Sequence, residues 1–285
     1  MPLSLSSAAL VLEPGSVPYR PDPDCAIFER DLLVRFGIQR DEDRLRQGAN
    51  VGFTELAEAV IEKLPFRLAS PDLLVFAFGL PDMIALKHVA QRVGYLLGGG
   101  SHCFAVSEQG LRAPFTALRV ADAFTRSGRC RTLALVVCEQ NTFAYPDPFV
   151  EENKVPNSAA LLYFDDTGRY EFAGTRMAPR GTPLGALLGW AAATDPVTGP
   201  EPESTLLVAG SWADSDDLAD TGWPVHRAAA GPYCTGVWLE LARHHQEWAE
   251  AYRSVVLCDT DPRTGQSQVA VLRRRPAAPT PRRAP

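Results

Sequence analysis

One stretch, Phe104 to Glu139, narrows what this chain can fold into. It reads FAVSEQGLRAPFTALRVADAFTRSGRCRTLALVVCE. That is the grammar of a buried strand, a sharp turn, a helix and a second buried strand. The turn stands where many α/β enzymes hold a nucleophile. Its apex is Gly110, Leu111 and Arg112, and none of these residues is nucleophilic. The nearest candidates, Ser107 and Cys103, lie on the strand that leads in.

The elements around this stretch follow the same alternation. Ala8 to Leu12 is apolar enough for a first strand, and Pro14, Pro18, Pro21 and Pro23 then interrupt regular structure. A short helical pattern follows (Ile27, Leu32, Leu33, Phe36), with Gly37 as its C-cap. Asp41 to Asn50 is charged and reads as a solvated loop, before a helix over 53–64. Leu73 to Phe78 (LLVFAF) is a continuous apolar run, as in a strand covered on both faces. Ile84, His88, Val89, Val93 and Leu96 recur at helical spacing until Gly98 to Gly100.

Beyond Glu139, Ser158 to Phe164 resumes as a strand, and Asp165-Asp166-Thr167-Gly168 turns it as a hairpin into Tyr170 to Thr175. A short helix over 184–192, a strand from Leu206, a polar segment, a helix over 235–250 and strands at 254–258 and 268–272 complete the chain. Helices alternating with buried strands imply crossover connections, hence an α/β fold with a mainly parallel sheet. Two α/β halves, 1–155 and 156–275, are expected. A basic, Pro-rich stretch from Arg273 leads into a tail over 276–285 expected to be disordered.

Composition removes several function classes. A net charge of -6 offers no concentrated basic face for nucleic acid. No apolar run approaches the ~18 to 20 residues that span a bilayer, and Met1 to Ser7 lacks a basic run before an apolar one, so a cytoplasmic protein is expected. The six cysteines have no CxxC spacing, which argues for reduced core thiols over disulfides or zinc. No cofactor or metal is expected.

The order of landmarks resembles β-ketoacyl-acyl-carrier-protein synthase III, a family of thiolase-like fold. Arg35-Phe36-Gly37-Ile38 looks like that family's Arg-x-Gly-Ile segment, and Pro71-Asp72-Leu73-Leu74 like its Asp-Leu-Ile strand entry. Ala90-Gln91 with Leu96-Leu97-Gly98 is similar to its helix before the nucleophile strand. Phe104-Ala105-Val106-Ser107 stands for Phe-Asp-Val-Ser, and Ala117-Leu118-Arg119-Val120-Ala121 for Ala-Leu-x-Val-Ala. Ser127-Gly128 and Leu135-Val136-Val137 complete the series.

The resemblance implies a fold of two pseudo-repeated α/β halves stacked in layers. It also implies a cysteine that carries an acyl group, assisted by a His and an Asn. Counting from Phe104 puts the cysteine position at Gly110, and counting back from Ala117 puts it at Leu111. The histidine falls within Ala209-Gly210-Ser211-Trp212, and the asparagine after Gly231, at Pro232. All three chemical groups are missing.

The resemblance therefore implies a silent subunit that forms a heterodimer with an active ketosynthase homologue, as chain-length factors and the cysteine-less subunit of the alkylquinolone-forming heterodimer do. Polyketide, fatty-acid-like or quinolone biosynthesis is the expected setting, with acyl carrier protein or acyl-CoA reached through the partner.

Other candidates have bland alternatives. Cys103 follows His102, but neighbours on a strand point to opposite faces, so His102 is no base for it. Ser107 has no assignable base, and a capping hydroxyl is the alternative. Cys234 has His226 upstream as an unorthodox pair. Cys138 and Cys258 read as core, and His244-His245 as a solvated helix face. Glu139-Gln140-Asn141 lines a cleft or caps a loop, and Arg112 faces a carrier protein or a partner's pocket, with a surface salt bridge as the bland alternative. An acyltransferase working from Cys103, Ser107 or Cys234, and a homodimeric ligand-binding protein, are the alternatives to a silent subunit.

Overall fold

Apolar runs without polar alternation need cover on both sides, and the topology supplies it. A computed structural model describes residues 3–66, 68–84, 86–194, 202–219 and 221–275. Its strands are β1 (Ser4–Leu12), β2 (Leu73–Phe78), β3 (His102–Val106), β4 (Leu133–Glu139), β5 (Ser158–Asp165), β6 (Tyr170–Met177), β7 (Thr205–Ala209), β8 (Val225–Arg227), β9 (Ser254–Asp261) and β10 (Gln266–Arg274). Helices are α1 (Pro23–Leu33), α2 (Glu42–Gln47), α3 (Phe53–Glu62), α4 (Val89–Leu96), α5 (Ala113–Arg126), α6 (Pro148–Glu152), α7 (Leu184–Ala193), α8 (Ser215–Ala219) and α9 (Gly236–Ala251).

Among the described residues the strands follow one another as β3-β2-β4-β5-β1-β6-β10-β9-β7-β8. The order is a repeat. If β6 to β10 are renumbered from one, the second five strands read 3-2-4-5-1 from their own edge, as the first five do. Pairing directions repeat too: β2 is parallel to β3 and β4, β7 is parallel to β8 and β9, and β5 and β10 are antiparallel to both their neighbours. The repeat turns over between β5 and β6, so β5 belongs with the first five strands rather than at the head of a second half beginning at 156.

Side-chain alternation sorts each strand between two cores. Leu73, Val75 and Ala77 of β2, with Leu206 and Val208 of β7, join a central core around Phe115 and Leu118 of α5 and Trp238 and Leu241 of α9. Leu74 and Phe76 face away, onto Phe53, Leu56 and Val60 of α3 and Val93 of α4. Leu207 and Ala209 face Leu184, Leu187 and Leu188 of α7. The result is layered: outer helices, one half-sheet, the central pair α5 and α9, the other half-sheet, outer helix.

Several expectations are corrected. The sheet is mixed rather than mainly parallel, because helical crossovers build only the β2, β3, β4 and β7, β8, β9 groups. β9 returns into β10 through a short turn, and β5 is antiparallel to β4. Asp165 to Gly168 is not the turn of a paired hairpin. β1 lies between β5 and β6, bonded to β6 only through Ser4↔Glu171 and Leu5↔Tyr170. Gly168 allows this crossing, since a Cβ there would collide with the backbone of Leu5.

Asp41 to Asn50 is not simply loop, because Asp41 caps α2 by accepting from the Asp43 and Arg44 N–H groups. The helix read from Ile84 begins only at Val89, after His88. The polar segment before α9 contains α8 and β8. β10 runs to Arg274, so the basic stretch from Arg273 begins inside a strand. The expected tail, 276–285, lies outside the described residues.

Candidate functional site

Parallel strands of a repeated α/β unit present their carboxyl ends on one side, where such folds gather their chemistry. β2, β3 and β4 deliver Gly79, Ser107 and Glu139 there, and β7 and β9 deliver Gly210, Asp259 and Asp261. The two sets meet. A Cβ built on Gly79 would lie 2.9 Å from the Gly110 carbonyl and 3.0 Å from the Cys234 Cβ. Of the four positions matched to the missing chemical groups, Gly110 is part of this meeting point, Leu111 and Pro232 lie within two residues of it in sequence, and Gly210 ends β7 against Asp259.

Gly110 and Gly210 are closed by neighbouring side chains, and Leu111 and Pro232 are held by hydrogen bonds of their backbone. Gly110, at φ 55°, opens a short 3-10 turn, Gly110–Arg112, ahead of α5. A side chain on it would collide with the Tyr233 hydroxyl and the Asp261 carboxylate. Leu111 is buried, and its N–H donates to Asp261 Oδ2 at 3.3 Å. The Tyr233 hydroxyl donates to the same oxygen at 3.0 Å, and the Arg263 N–H donates to Oδ1 at 2.8 Å. A side chain on Gly210 would run into the Asp259 carboxylate. The Pro232 carbonyl accepts from the Trp212 indole N–H at 3.3 Å. Phe149 packs between Trp212 and Tyr233, ring centroids 5.5 and 4.9 Å away, beneath the Arg263 guanidinium.

The halves hold each other's turns. Glu139, ending β4, accepts from the N–H groups of Tyr233 at 2.8 Å and Cys234 at 2.6 Å, and from the Thr235 hydroxyl at 3.3 Å, immediately before α9. Asp261, ending β9, accepts from Leu111 immediately before α5. Carboxylates thus sit at the amino ends of both central helices, where unpaired N–H groups favour negative charge.

Burial works against the charge of Glu139. It raises the Glu139 carboxyl to about 7 although the hydrogen bonds from Cys234, Tyr233 and Thr235 favour the anion. Asp259 goes to about 8, again through burial, against the Thr260 and Trp212 N–H groups and Arg227. Burial, then the adjacent Asp261, drives the Tyr233 phenol up.

The candidate nucleophiles are held in unreactive surroundings. Cys234 is buried, and burial followed by Glu139 lifts its thiol well above the ordinary range. Its suggested base is engaged elsewhere, because His226 Nε2 lies 2.7 Å from Glu240 Oε2. Cys103 Sγ donates to the Ser101 carbonyl at 3.3 Å, and burial raises its pKa. His102 stacks on Phe124 at 5.6 Å and packs edge-on to Phe104, which share its face. Cys138 and Cys258 are fully buried. Glu108, at φ 57°, follows Ser107 in the left-handed region, a strained conformation for a side chain of this size.

Ser107 lines a cavity of about 560 Å³ with Phe78, Asp82, Lys87, His88 and Glu108. Asp82 there accepts from the Phe53 and Met83 N–H groups at 3.0 and 2.8 Å, and burial raises its carboxyl to about 6. Gln140 is structural: its amide donates to the Pro81 carbonyl and its oxygen accepts from the Thr142 N–H. Asn141 lines a second cavity of similar size, with Arg44, Gln47 and Lys154. Arg112 forms no ion pair among the described residues, and its Nε is buried without a partner.

Tyr233, Asp259 and Asp261 were not anticipated from sequence. The available signal was an internal echo, Val136-Val137-Cys138-Glu139 against Val256-Leu257-Cys258-Asp259, which places an acid at the same point of two equivalent strands.

No protein-family model matches the chain, and comparison with curated proteins gives no match. Solved structures do resemble it. 3-Oxoacyl-[acyl-carrier-protein] synthase III from Aquifex aeolicus superposes with a TM-score of 0.62 at 14% identity, covering 95% of this chain and 99% of the other. The same enzyme from Pseudomonas aeruginosa gives 0.61 at 15%, covering 97% and 99%. A variant of OleA from Xanthomonas campestris, solved with lauric acid and lauroyl-CoA, gives 0.58 at 16%, covering 96% and 98%. The chain has the thiolase-like fold, and at these identities the likeness speaks for the fold alone.

Proposed function

We propose that this chain is a catalytically silent thiolase-like subunit that pairs with an active ketosynthase-type homologue and shapes that partner's acyl pocket, in polyketide, fatty-acid-like or quinolone biosynthesis. The observation that carries this reading is the closure of Gly110. An acylated side chain needs free volume at the apex, and the Tyr233 hydroxyl and Asp261 carboxylate occupy it. The positions matched to the assisting His and Asn, Gly210 and Pro232, are closed by Asp259 and engaged by Trp212. The scaffold around them is well packed, as expected of a part kept for its shape.

Two surfaces support a protein partner. β3 is an edge strand whose outer backbone has no strand beside it among the described residues. Ile27, Phe28, Leu32, Val34, Phe36 and Ile38 keep much of their apolar surface in solvent within a short segment. Acyl carrier protein or acyl-CoA would then be handled through the partner. Co-expression with a ketosynthase encoded nearby tests the proposal: a stable complex is expected, with condensation depending on both chains. A partner fully active alone that never co-purifies would sink it.

A second reading, acyl transfer from this chain itself, has one observation in its favour: Ser107 shares its cavity with His88. Intact mass after exposure to acyl-thioesters separates the two. An adduct lost in Ser107→Ala supports transfer, and no adduct supports the silent subunit.

A further inference from the structure

The edge strand β8 and the helix α9 bring together a group of side chains unrelated to the apex. His226 of β8 faces Glu240 and His244, which are one turn apart on α9. One donor atom from each lies within 4.8 Å of the other two. His226 Nε2 is 2.7 Å from Glu240 Oε2, and His244 Nε2 is 3.7 Å from the same oxygen. His244, read from sequence with His245 as a solvated helix face, instead packs against Glu240 and His226.

We propose that His226, Glu240 and His244 form a binding site for a divalent transition-metal ion, with zinc as the best fit. Ligands about 2.0 to 2.1 Å from a tetrahedral ion stand roughly 3.3 Å from one another. The observed 2.7 and 3.7 Å bracket that spacing, and the two imidazole donors lie within 4.8 Å of each other, so side-chain rotations without backbone movement would seat the ion. Two imidazoles and a carboxylate suit zinc, cobalt or nickel and leave a position open for water.

The surroundings fit the same use. Glu247 Oε2 lies 3.2 Å from His244 Nδ1, a carboxylate placed to orient the imidazole and leave its other nitrogen free for an ion. Trp248 stacks on His244 at 5.2 Å and meets His226 edge-on at 5.2 Å, limiting the rings' rotation. Arg243 Nη1 takes Glu240 Oε1 at 2.6 Å and leaves Oε2, the oxygen facing both imidazoles. With neutral imidazoles, Glu240, Glu247 and Arg243 sum to one negative charge, which favours a cation. Glu240 is buried and His226 and His244 are partly exposed, so an ion has an open approach and a fixed anionic seat.

The ion would tie the short strand β8 to α9, the helix whose amino end Glu139 holds. The test is zinc titration of the full-length, tag-free protein after chelator treatment, by calorimetry and thermal unfolding, with cobalt absorption as a geometry probe. The expected result is one ion per chain, a raised Tm and a tetrahedral cobalt spectrum. His226→Gln and His244→Gln should each weaken zinc binding about 100-fold or more, and Glu247→Gln about 10- to 100-fold. Both histidines are partly exposed, so these variants keep the fold, which circular dichroism checks. Absence of one-to-one binding at 100 micromolar zinc, or binding unchanged in both histidine variants, would overturn the proposal and leave Glu240 as a carboxylate ion-paired with Arg243 and hydrogen-bonded to His226.

Discussion

The carboxylate of Asp259 occupies the space that a side chain on Gly210 would need. Gly210 has no positive φ to explain it, so volume alone keeps the position small. Gly210→Ala is expected to destabilise the protein by about 1 to 3 kcal/mol through overpacking. Adding Asp259→Ala should return much of that loss. A double-mutant cycle from urea unfolding midpoints checks the coupling, and strictly additive effects would contradict the contact.

Glu139 anchors the turn before α9 through two backbone N–H groups and a hydroxyl. Glu139→Ala leaves those donors buried and unpaired and is expected to cost about 2 to 5 kcal/mol. Glu139→Gln keeps an acceptor oxygen and should cost less. Urea denaturation of the two variants side by side gives the ranking, which a larger loss for Gln would reverse.

Stability should depend on pH in an unusual direction. Asp259 and Glu139 are raised from 3.8 and 4.5 to about 8 and about 7. Between the unfolded and folded values, the folded state holds protons that the unfolded chain has released. The contribution is therefore full below the unfolded pKa and is lost as pH rises through the folded one, by at most about 1.4 kcal/mol per pH unit for each group. Unfolding free energies measured from pH 5 to 9 should fall from pH 5 to about 8 and level off above it, and Asp259→Asn should make the fall shallower.

Thiol chemistry offers a direct check on the apex. All six cysteines are free, and of these only Cys103 is not buried. Ellman's reagent on native protein near pH 7.5 should titrate at most that one thiol, slowly, and all six after denaturation. Rapid reaction at Cys234 would mean that the meeting point of the halves is open.

The segment around α1 allows the interface to be tested apart from the fold. Val34 and Phe36 are 66% and 71% exposed. Replacing both with Ser should change stability by no more than about 0.5 kcal/mol per site. If the proposed pairing holds, the same pair of changes should abolish co-purification with the proposed ketosynthase-type partner, whereas full retention of that complex would place the interface elsewhere.

How much of this was legible follows from the distance over which each feature is determined. β2, β4, β5, α3 and α5 could be read because burial on both faces, or on one helical stripe, writes itself into neighbouring residues. β8 and α8 are too short and polar to leave a period. The insertion of β1 between β5 and β6 is a pairing of residues far apart, which no local pattern encodes. The bare apex at Gly110 was visible in sequence. What closes it was not, because Tyr233 and Asp261 come from the other half and converge only when the sheet assembles.

That same placement of β1 has a consequence for biosynthesis. Leu5 pairs with Phe164, so a growing chain exposes an apolar strand on the ribosome until most of the first half has been made. At about 5 to 20 residues per second the wait is roughly 10 to 30 seconds, long enough for an unpaired strand to find a wrong neighbour. Recovery of this protein should therefore respond to the supply of nascent-chain chaperones, and to slower translation, more than its well-packed native state would suggest.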